Sequence, residues 1–291
     1  MKKQLLFCMA FSFLIFTSFA QTPPADTEIF VFDLKEKKGS VSIEKGKNVT
    51  NRKGYDNQPY FYGEDYMLYT AYENGQTDII MLDLLEGKKT NLTNSKESEY
   101  SAAMVPGFES FAAVRVEEDG TQRLWLFHLN TKKAPQLVFE DIAPVGYHAW
   151  SGSNVAMFIL GTPITLLMAD ARQPGEKKIT DNIGRTIKLI PGSADFAFER
   201  TEENGDKNIY RLNSKTARFD VTVKKPDNSS DWTITNEGTY VTSVGSKILT
   251  FNPKYDKDWK EVADLNSMGL SGITRMAVNE NNTKIAIVIN Q

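Results

Sequence analysis

The chain has 291 residues, 34 Lys and Arg against 37 Asp and Glu, and a formal charge of −3 at pH 7. That balance argues against a general nucleic-acid binder, which needs a basic footprint. A single cysteine, Cys8, excludes a disulfide framework, and with only two histidines a His/Cys zinc site has no basis, so stability must come from a packed core.

Residues 1–20 read as an export leader. Lys2 and Lys3 form a positive start, residues 5–16 a short apolar stretch, and Ser18-Phe19-Ala20 the small-residue end that a signal peptidase accepts. Cleavage after Ala20 is expected, leaving residues 21–291 as a single domain that is periplasmic or secreted. Bulky Phe7 before Cys8 argues against a lipid anchor. Losing Lys2 and Lys3 takes the charge to about −5. No later stretch is apolar enough to span a membrane.

After the leader, Ile29-Phe30-Val31-Phe32-Asp33-Leu34 and residues 41–50 predict two strands with no partners before them. A complete unit follows. Residues 60–62 lead into a turn at Gly63, residues 67–72 form a second strand, and Glu73-Asn74-Gly75-Gln76 turns the chain. Residues 78–84 form a third strand, Glu86-Gly87-Lys88 turns again, and residues 90–94 close the unit. The third strand recurs as Leu124-Trp125-Leu126-Phe127-His128-Leu129, Leu166-Leu167-Met168-Ala169-Asp170, Ile209-Tyr210-Arg211-Leu212-Asn213 and Ile248-Leu249-Thr250-Phe251-Asn252. The second recurs as Phe111-Ala112-Ala113-Val114, Val155-Ala156-Met157-Phe158-Ile159, Phe196-Ala197-Phe198 and Tyr240-Val241-Thr242. Both sets are apolar at nearly every position, as expected of strands buried on both faces. No stretch reads as a long amphipathic helix.

Turn clusters at Gly63, Gly107, Gly152, Gly192, Gly238 and Asn279 to Asn282 punctuate these units. Their spacing is roughly 40 to 45 residues, the period of four-stranded propeller blades. The C-terminus supplies residues 273–278 and 284–289, half a unit, and the N-terminal strands supply the other half. Ring closure inside one composite blade follows, for about six blades, since an open solenoid leaves the split unit unexplained. The expected fold is all-β: a six-bladed β-propeller closed by pairing of N- and C-terminal strands in one blade.

Several segments carry a loose signature. Trp150-Ser151-Gly152-Ser153-Asn154 is a degraded Ser-Pro-Asp-Gly turn. Asp83-Leu84 with Asn91-Leu92-Thr93-Asn94, Asp33-Leu34 with Asn48-Val49-Thr50-Asn51, and Lys178-Ile179-Thr180-Asp181 are second-half motifs. On these residues the chain resembles the TolB-like six-bladed propellers over nearly its whole mature length, as a divergent member with no intact Ser-Pro-Asp-Gly. The resemblance implies the fold. It includes envelope scaffolds that bind other proteins and propellers attached to peptidases, so it does not by itself choose a role. The repeat pattern runs to Gln291, so a propeller without an attached peptidase domain is expected.

In such a ring the first strand of each blade lines the channel. Loops between second and third strands share one face with the inter-blade connections, and the hairpin turns share the other. The first face is expected to be acidic, through Glu73, through Glu117, Glu118 and Asp119, and through Glu202 and Glu203 with Asp206. The opposite rim is expected to be basic, with lysines at 35, 37, 38, 88, 89, 132, 133, 177, 178, 215, 254, 257 and 260. Such charges keep a β-rich surface soluble and can also steer a partner. Channel candidates are Glu99, Tyr147, His148, Trp150, Arg185, Asp231, Trp232 and Arg275, with Tyr147-His148-Ala149-Trp150 the most diverse cluster.

Gly-x-Ser-x-Gly elbows and phosphate-binding loops are missing, and Ser151-Gly152-Ser153 reads as a turn. No cofactor or metal is expected. The favoured function is an exported non-catalytic scaffold that binds another envelope or extracellular protein or peptide, through Glu73, Glu117, Glu118, Asp119, Glu202, Glu203, Tyr147, His148 and Trp150. The alternatives are a metal-dependent lactonase or esterase using Glu99, Asp231 and Asn228, and a glycan-binding module using aromatics such as Trp125, Trp150, Trp232 and Trp259.

Overall fold

The computed structural model of the protein describes residues 24–130 and 132–291, so the leader lies outside the described residues. Six antiparallel four-stranded sheets form the blades of a propeller. Blades 1 to 5 follow chain order over residues 56–91, 98–137, 145–181, 183–224 and 232–264. Blade 6 is the composite. Its inner strands are Ile273–Val278 and Lys284–Asn290, and its outer strands Thr27–Lys37 and Ser40–Asn48. Thr27 to Asp33 pairs with Asn290 to Lys284 in an unbroken antiparallel register, which closes the ring. No helix among the described residues is long and apolar enough to cross a membrane, and the one short helical turn is Leu265–Met268.

The apolar second strands have a direct physical cause. Successive side chains of a strand point to opposite faces, and each blade is sandwiched between two neighbours. Phe111 and Ala113 pack with Leu68 and Ile79 of blade 1, while Ala112 and Val114 pack with Val155 and Met157 of blade 3. Ala156 and Phe158 turn the other way, onto Phe196 and Phe198 of blade 4. In blade 6, Ile285, Ile287 and Ile289 join Val241 and Ile248 of blade 5, and Ala286 and Val288 join Met67 and Tyr69 of blade 1. A polar residue at any of these positions would be stranded in one core or the other. Each large apolar side chain so buried contributes about 1.5–3 kcal/mol.

Third strands differ from expectation. Only a minority of positions are buried, such as Ile79 and Leu82, Leu124 and Phe127, and Ile209 and Leu212, each pair three residues apart. Blades splay apart with distance from the axis, so the third strand is half-covered although its sequence is as apolar as that of the second.

The motifs behind the family resemblance have structural duties. The Oδ1 atoms of Asn48 and Asn91 each accept two backbone N–H groups of the turn that follows, and Asn51 and Asn94 adopt left-handed φ there. The Oγ1 atoms of Thr50 and Thr93 accept N–H groups from Ile29 and Ile79 of their third strands, at 3.0 Å each. Asp83 Oδ1 caps Leu85 and Glu86 at 2.9 Å. The Asn and Thr side chains steer the chain out of one blade and into the next, and Asp83 shapes the last hairpin turn within its blade.

Candidate functional site

The innermost strands are Asp56–Tyr62, Ser98–Met104, Val145–Ser151, Ile183–Leu189, Trp232–Ile234 and Ile273–Val278. Each leaves one backbone edge unpaired along the channel. Five of the six carry a register irregularity near their start, at Asn57/Tyr60, Tyr100/Ala103, Val145/Tyr147, Ile183/Ile187 and Ile273/Arg275. Bulges re-aim side chains, and here they do so at one depth in the ring. Gln58 and Ser101 take left-handed φ of 56° and 57°. At the corresponding level of blade 4, Gly184 has no room for a side chain, because a Cβ would lie 2.9 Å from Glu199 Oε1.

Side chains at this level stitch neighbouring blades together. Gln58 Oε1 accepts from Ser101 N at 2.8 Å, and Ser101 Oγ donates to Gly146 O at 3.4 Å. Asp231 Oδ1 accepts from the Thr186 hydroxyl, and its Oδ2 accepts from Met276 N at 3.2 Å. Two arginines reach farther. Arg275 Nη2 of blade 6 donates to Tyr147 Oη of blade 3 at 2.7 Å, with the guanidinium 5.0 Å from the Tyr147 ring centre. Arg185 Nη2 of blade 4 donates to Thr274 O of blade 6 at 2.6 Å. The contact between the opposite blades 3 and 6 bars the channel.

On the hairpin-turn side of this bar lies a cavity of about 410 Å³. Gln58, Ser101, Tyr147, Arg185, Asp231 and Arg275 form its inner part; Tyr60, Met104, Pro106, Trp150, Leu189 and Glu280 lie toward the mouth; Lys188 is on the wall. A second recess of about 440 Å³ between blades 2 and 3 shares Pro106 and Trp150 with it and is bordered by exposed Phe108. Tyr66 and Leu189 are further exposed apolar groups on this face.

Enclosure sets the protonation behaviour. Burial raises the Tyr147 hydroxyl pKa, with Arg185 opposing and Asp231 adding to the rise. Burial pushes Tyr60 up to about 12, reinforced by Glu280. Burial lowers the Lys188 ammonium, with Asp231 opposing. Lys188 is ringed by protein, yet its surface stays partly open because that ring is the wall of a cavity. Among the described residues, Lys188 has no hydrogen-bond or ion-pair partner, and neither arginine has a carboxylate within 4.0 Å.

The sequence candidates divide sharply. Tyr147, His148, Trp150, Arg185, Asp231 and Arg275 all border the cavity. His148 is buried, its Nδ1 accepts from Trp150 Nε1 at 3.1 Å, and burial lowers its pKa to about 4. Glu99 does not reach the cavity. It is fully buried, accepts from Arg115 Nε at 2.9 Å and Ser95 Oγ at 2.7 Å, and is pushed up by that burial. Glu99 and Asp231 belong to opposite blades, 2 and 5, and Asn228 sits in the connection after blade 4, so the three do not converge. Trp232 is fully buried against Tyr240, Trp125 donates to Glu117 at 2.8 Å, and Trp259 donates to Lys224 O at 2.9 Å.

The acidic loops lie on the opposite face, spread over blades 1, 2 and 4. Glu117 is held by Arg123 at 2.9 and 2.5 Å, which lowers its pKa. Glu202 accepts from Tyr210 Oη at 2.5 Å, Glu73 lies 3.5 Å from Arg52, and Asp119 accepts from Thr121 N at 2.8 Å. Glu118 and Glu203 are exposed, with no side-chain partner among the described residues.

No family model and no curated protein matches this chain at the sequence level. Solved structures do match. A structure assigned to TolB of Agrobacterium tumefaciens is 12% identical over 92% of this chain and 99% of that one, with a TM-score of 0.70. The fold is that of the TolB-like six-bladed propellers. TolB of Acinetobacter baumannii matches at 13% identity and TM-score 0.56 over 91% of this chain, which spans 65% of that longer protein. A chain in a nidogen/laminin complex matches at 8% identity and TM-score 0.52, over 88% of this chain and 84% of that one. At these identities the likeness is one of fold.

Sequence reasoning missed Lys188, Gln58, Tyr60 and Glu280. A signal existed for Lys188: it is the one charged residue in the run Ile187-Lys188-Leu189-Ile190, on a predicted channel strand.

Proposed function

We propose that the ring is a non-catalytic binding module, acting outside the cytoplasm, that seats a protein or peptide over the channel mouth on its hairpin-turn face. The observation that carries this reading is the recess itself. A cavity of about 410 Å³ mixes arginine, lysine, tyrosine and apolar walls, and exposed Tyr66, Phe108 and Leu189 lie on the face onto which it opens. A rigid scaffold that presents such a mouth suits recognition. The presence of a similar propeller in the nidogen/laminin complex supports partner binding by this architecture. The location follows from the leader-like residues 1–20.

A second docking face is favoured by Glu118 and Glu203, whose carboxylates have no internal task. One experiment covers both. A tagged copy carrying a photo-crosslinking residue at Phe108 or at Glu118 is irradiated in cells, and the captured proteins are identified by mass spectrometry. A reproducible partner at position 108 supports the channel-mouth face, and one at 118 alone moves the site to the acidic loops. Capture at neither position beyond a tagged control sinks the reading.

A further inference from the structure

We infer that the channel cavity recognises a carboxylate, presented by an acidic ligand that enters from the hairpin-turn face. The inference deepens the binding reading above and rests on it.

Three cations line one cavity: Lys188 and Arg275, both half-buried, and Arg185, which is exposed. Elsewhere the fold supplies a carboxylate to each enclosed cation, as in Arg52 with Asp56, Arg115 with Glu99 and Lys225 with Glu199. The channel does not. Its two acids are Asp231 and Glu280. Both Asp231 oxygens are already taken by Thr186 and Met276, and Glu280 belongs to the turn at the mouth. Arg185 and Arg275 each have one hydrogen bond to protein, which leaves the other guanidinium donors available, and Lys188 uses none. An anion suits this surplus, because a charge-assisted bond in a partly enclosed site is stronger than its equivalent in water. A carboxylate fits better than a bulkier polyanion: the cavity is modest, and Asp231 and Glu280 hold the excess to about one charge. The lysine-bearing turns on the same face, at Lys88, Lys215 and Lys257, would steer an acidic ligand toward the mouth.

The test is fluorescence anisotropy with a fluorescein-labelled tetra-aspartate peptide bearing a free carboxy-terminus, at low and at physiological salt. The expected result is saturable binding, absent for tetra-serine, and at least tenfold weaker in Lys188→Met. A double rim variant, Lys215→Ser with Lys257→Ser, should slow association and leave the dissociation rate unchanged. Circular dichroism melts accompany each protein. Lys188→Gln runs beside Lys188→Met, and should either fail to fold, Arg185→Gln carries the same expectation. Competition separates the sources of the carboxylate: displacement by succinate supports a small dicarboxylate, and displacement only by unlabelled peptide supports an acidic chain. Equal binding of tetra-aspartate and tetra-serine overturns the inference. So does binding that survives Lys188→Met within twofold and vanishes in the rim variant. Crosslinked partners without aspartate binding reject the carboxylate alone, whereas aspartate binding without partners rejects the protein reading alone.

Discussion

Two sets of cations in this ring are treated in opposite ways. Away from the channel, Lys225 Nζ lies 2.6 Å from Glu199 and 2.6 Å from Ser230 O, and Arg115 is clamped to Glu99 beneath Trp125 and Phe127. In the channel, Lys188 meets no partner among the described residues, and Arg275 meets only a neutral phenol. Burial depresses the pKa of both lysines, so desolvation alone does not separate them. What separates them is compensation. These pairs tie a connecting loop or a second strand to the blade that carries it. Arg185 and Arg275 each make one hydrogen bond across the channel and Lys188 makes none, which leaves donors of all three available to a ligand.

The sharpest way to break this contrast is to remove one half of such a buried pair. Lys225→Met leaves Glu199 buried and unpartnered except for Lys207 at 4.0 Å. Orphaning one member of a buried pair costs about 3–5 kcal/mol. Urea unfolding should show that loss, and Glu199→Leu combined with Lys225→Met should recover much of it. A single-variant loss below about 1 kcal/mol would place Lys225 in the same class as Lys188.

His148 offers a second, pH-dependent comparison, since it is enclosed beside the cavity without being charged. Its pKa falls from 6.5 to about 4 on folding, because burial disfavours the cation by more than backbone contacts with Ser101 and Ala112 favour it. The folded state therefore binds fewer protons than the unfolded state between those values. The stability it contributes is complete above pH 6.5 and is lost as pH falls toward 4, up to roughly 3 kcal/mol. His148→Gln keeps an acceptor for Trp150 and should flatten that part of the profile, read from urea midpoints at pH 7 and 4.5. An unchanged slope would show that the ring at 148 gains a proton as easily in the fold as out of it.

These contrasts also mark what the sequence could disclose. Blade number, ring closure and the paired termini were legible, because two-sided burial forces apolar residues at most positions of the second strands and Asn-x-Thr turns recur where blades join. The unequal burial of second and third strands was not legible, since both are written in the same residues and differ only in distance from the axis. At the site, Tyr147, Arg185, Asp231 and Arg275 could be placed on channel strands by counting from the turns. Their mutual contacts could not, because bulges at Gln58, Ser101 and Gly146 decide which side chains face inward. Glu99 and Asp231 sit on equivalent inner segments, yet one is locked to Arg115 of its own blade and the other borders the cavity. Pattern at one residue per position cannot tell a carboxylate paired with an arginine from one that borders a cavity.

The smallest expected effect is the most telling. Lys188→Met removes a cation that pairs with nothing, from a wall already lined by Ile187 and Met276. If the channel cations serve only a ligand, the fold should not miss this one. Unfolding free energy at pH 7 should change by less than about 1 kcal/mol, with a gain more natural than a loss, because an unpaired ammonium no longer has to leave water. The pH dependence should change in a definite direction. In the parent chain the Lys188 pKa lies below its ordinary value of 10.5, so stability rises as pH climbs through the folded pKa toward 10.5. The variant should lack that rise between pH 8 and 10. A loss comparable to that of Lys225→Met would mean that Lys188 holds the ring together, and the distinction between stapling and channel cations would fail at the residue where it is drawn most strongly.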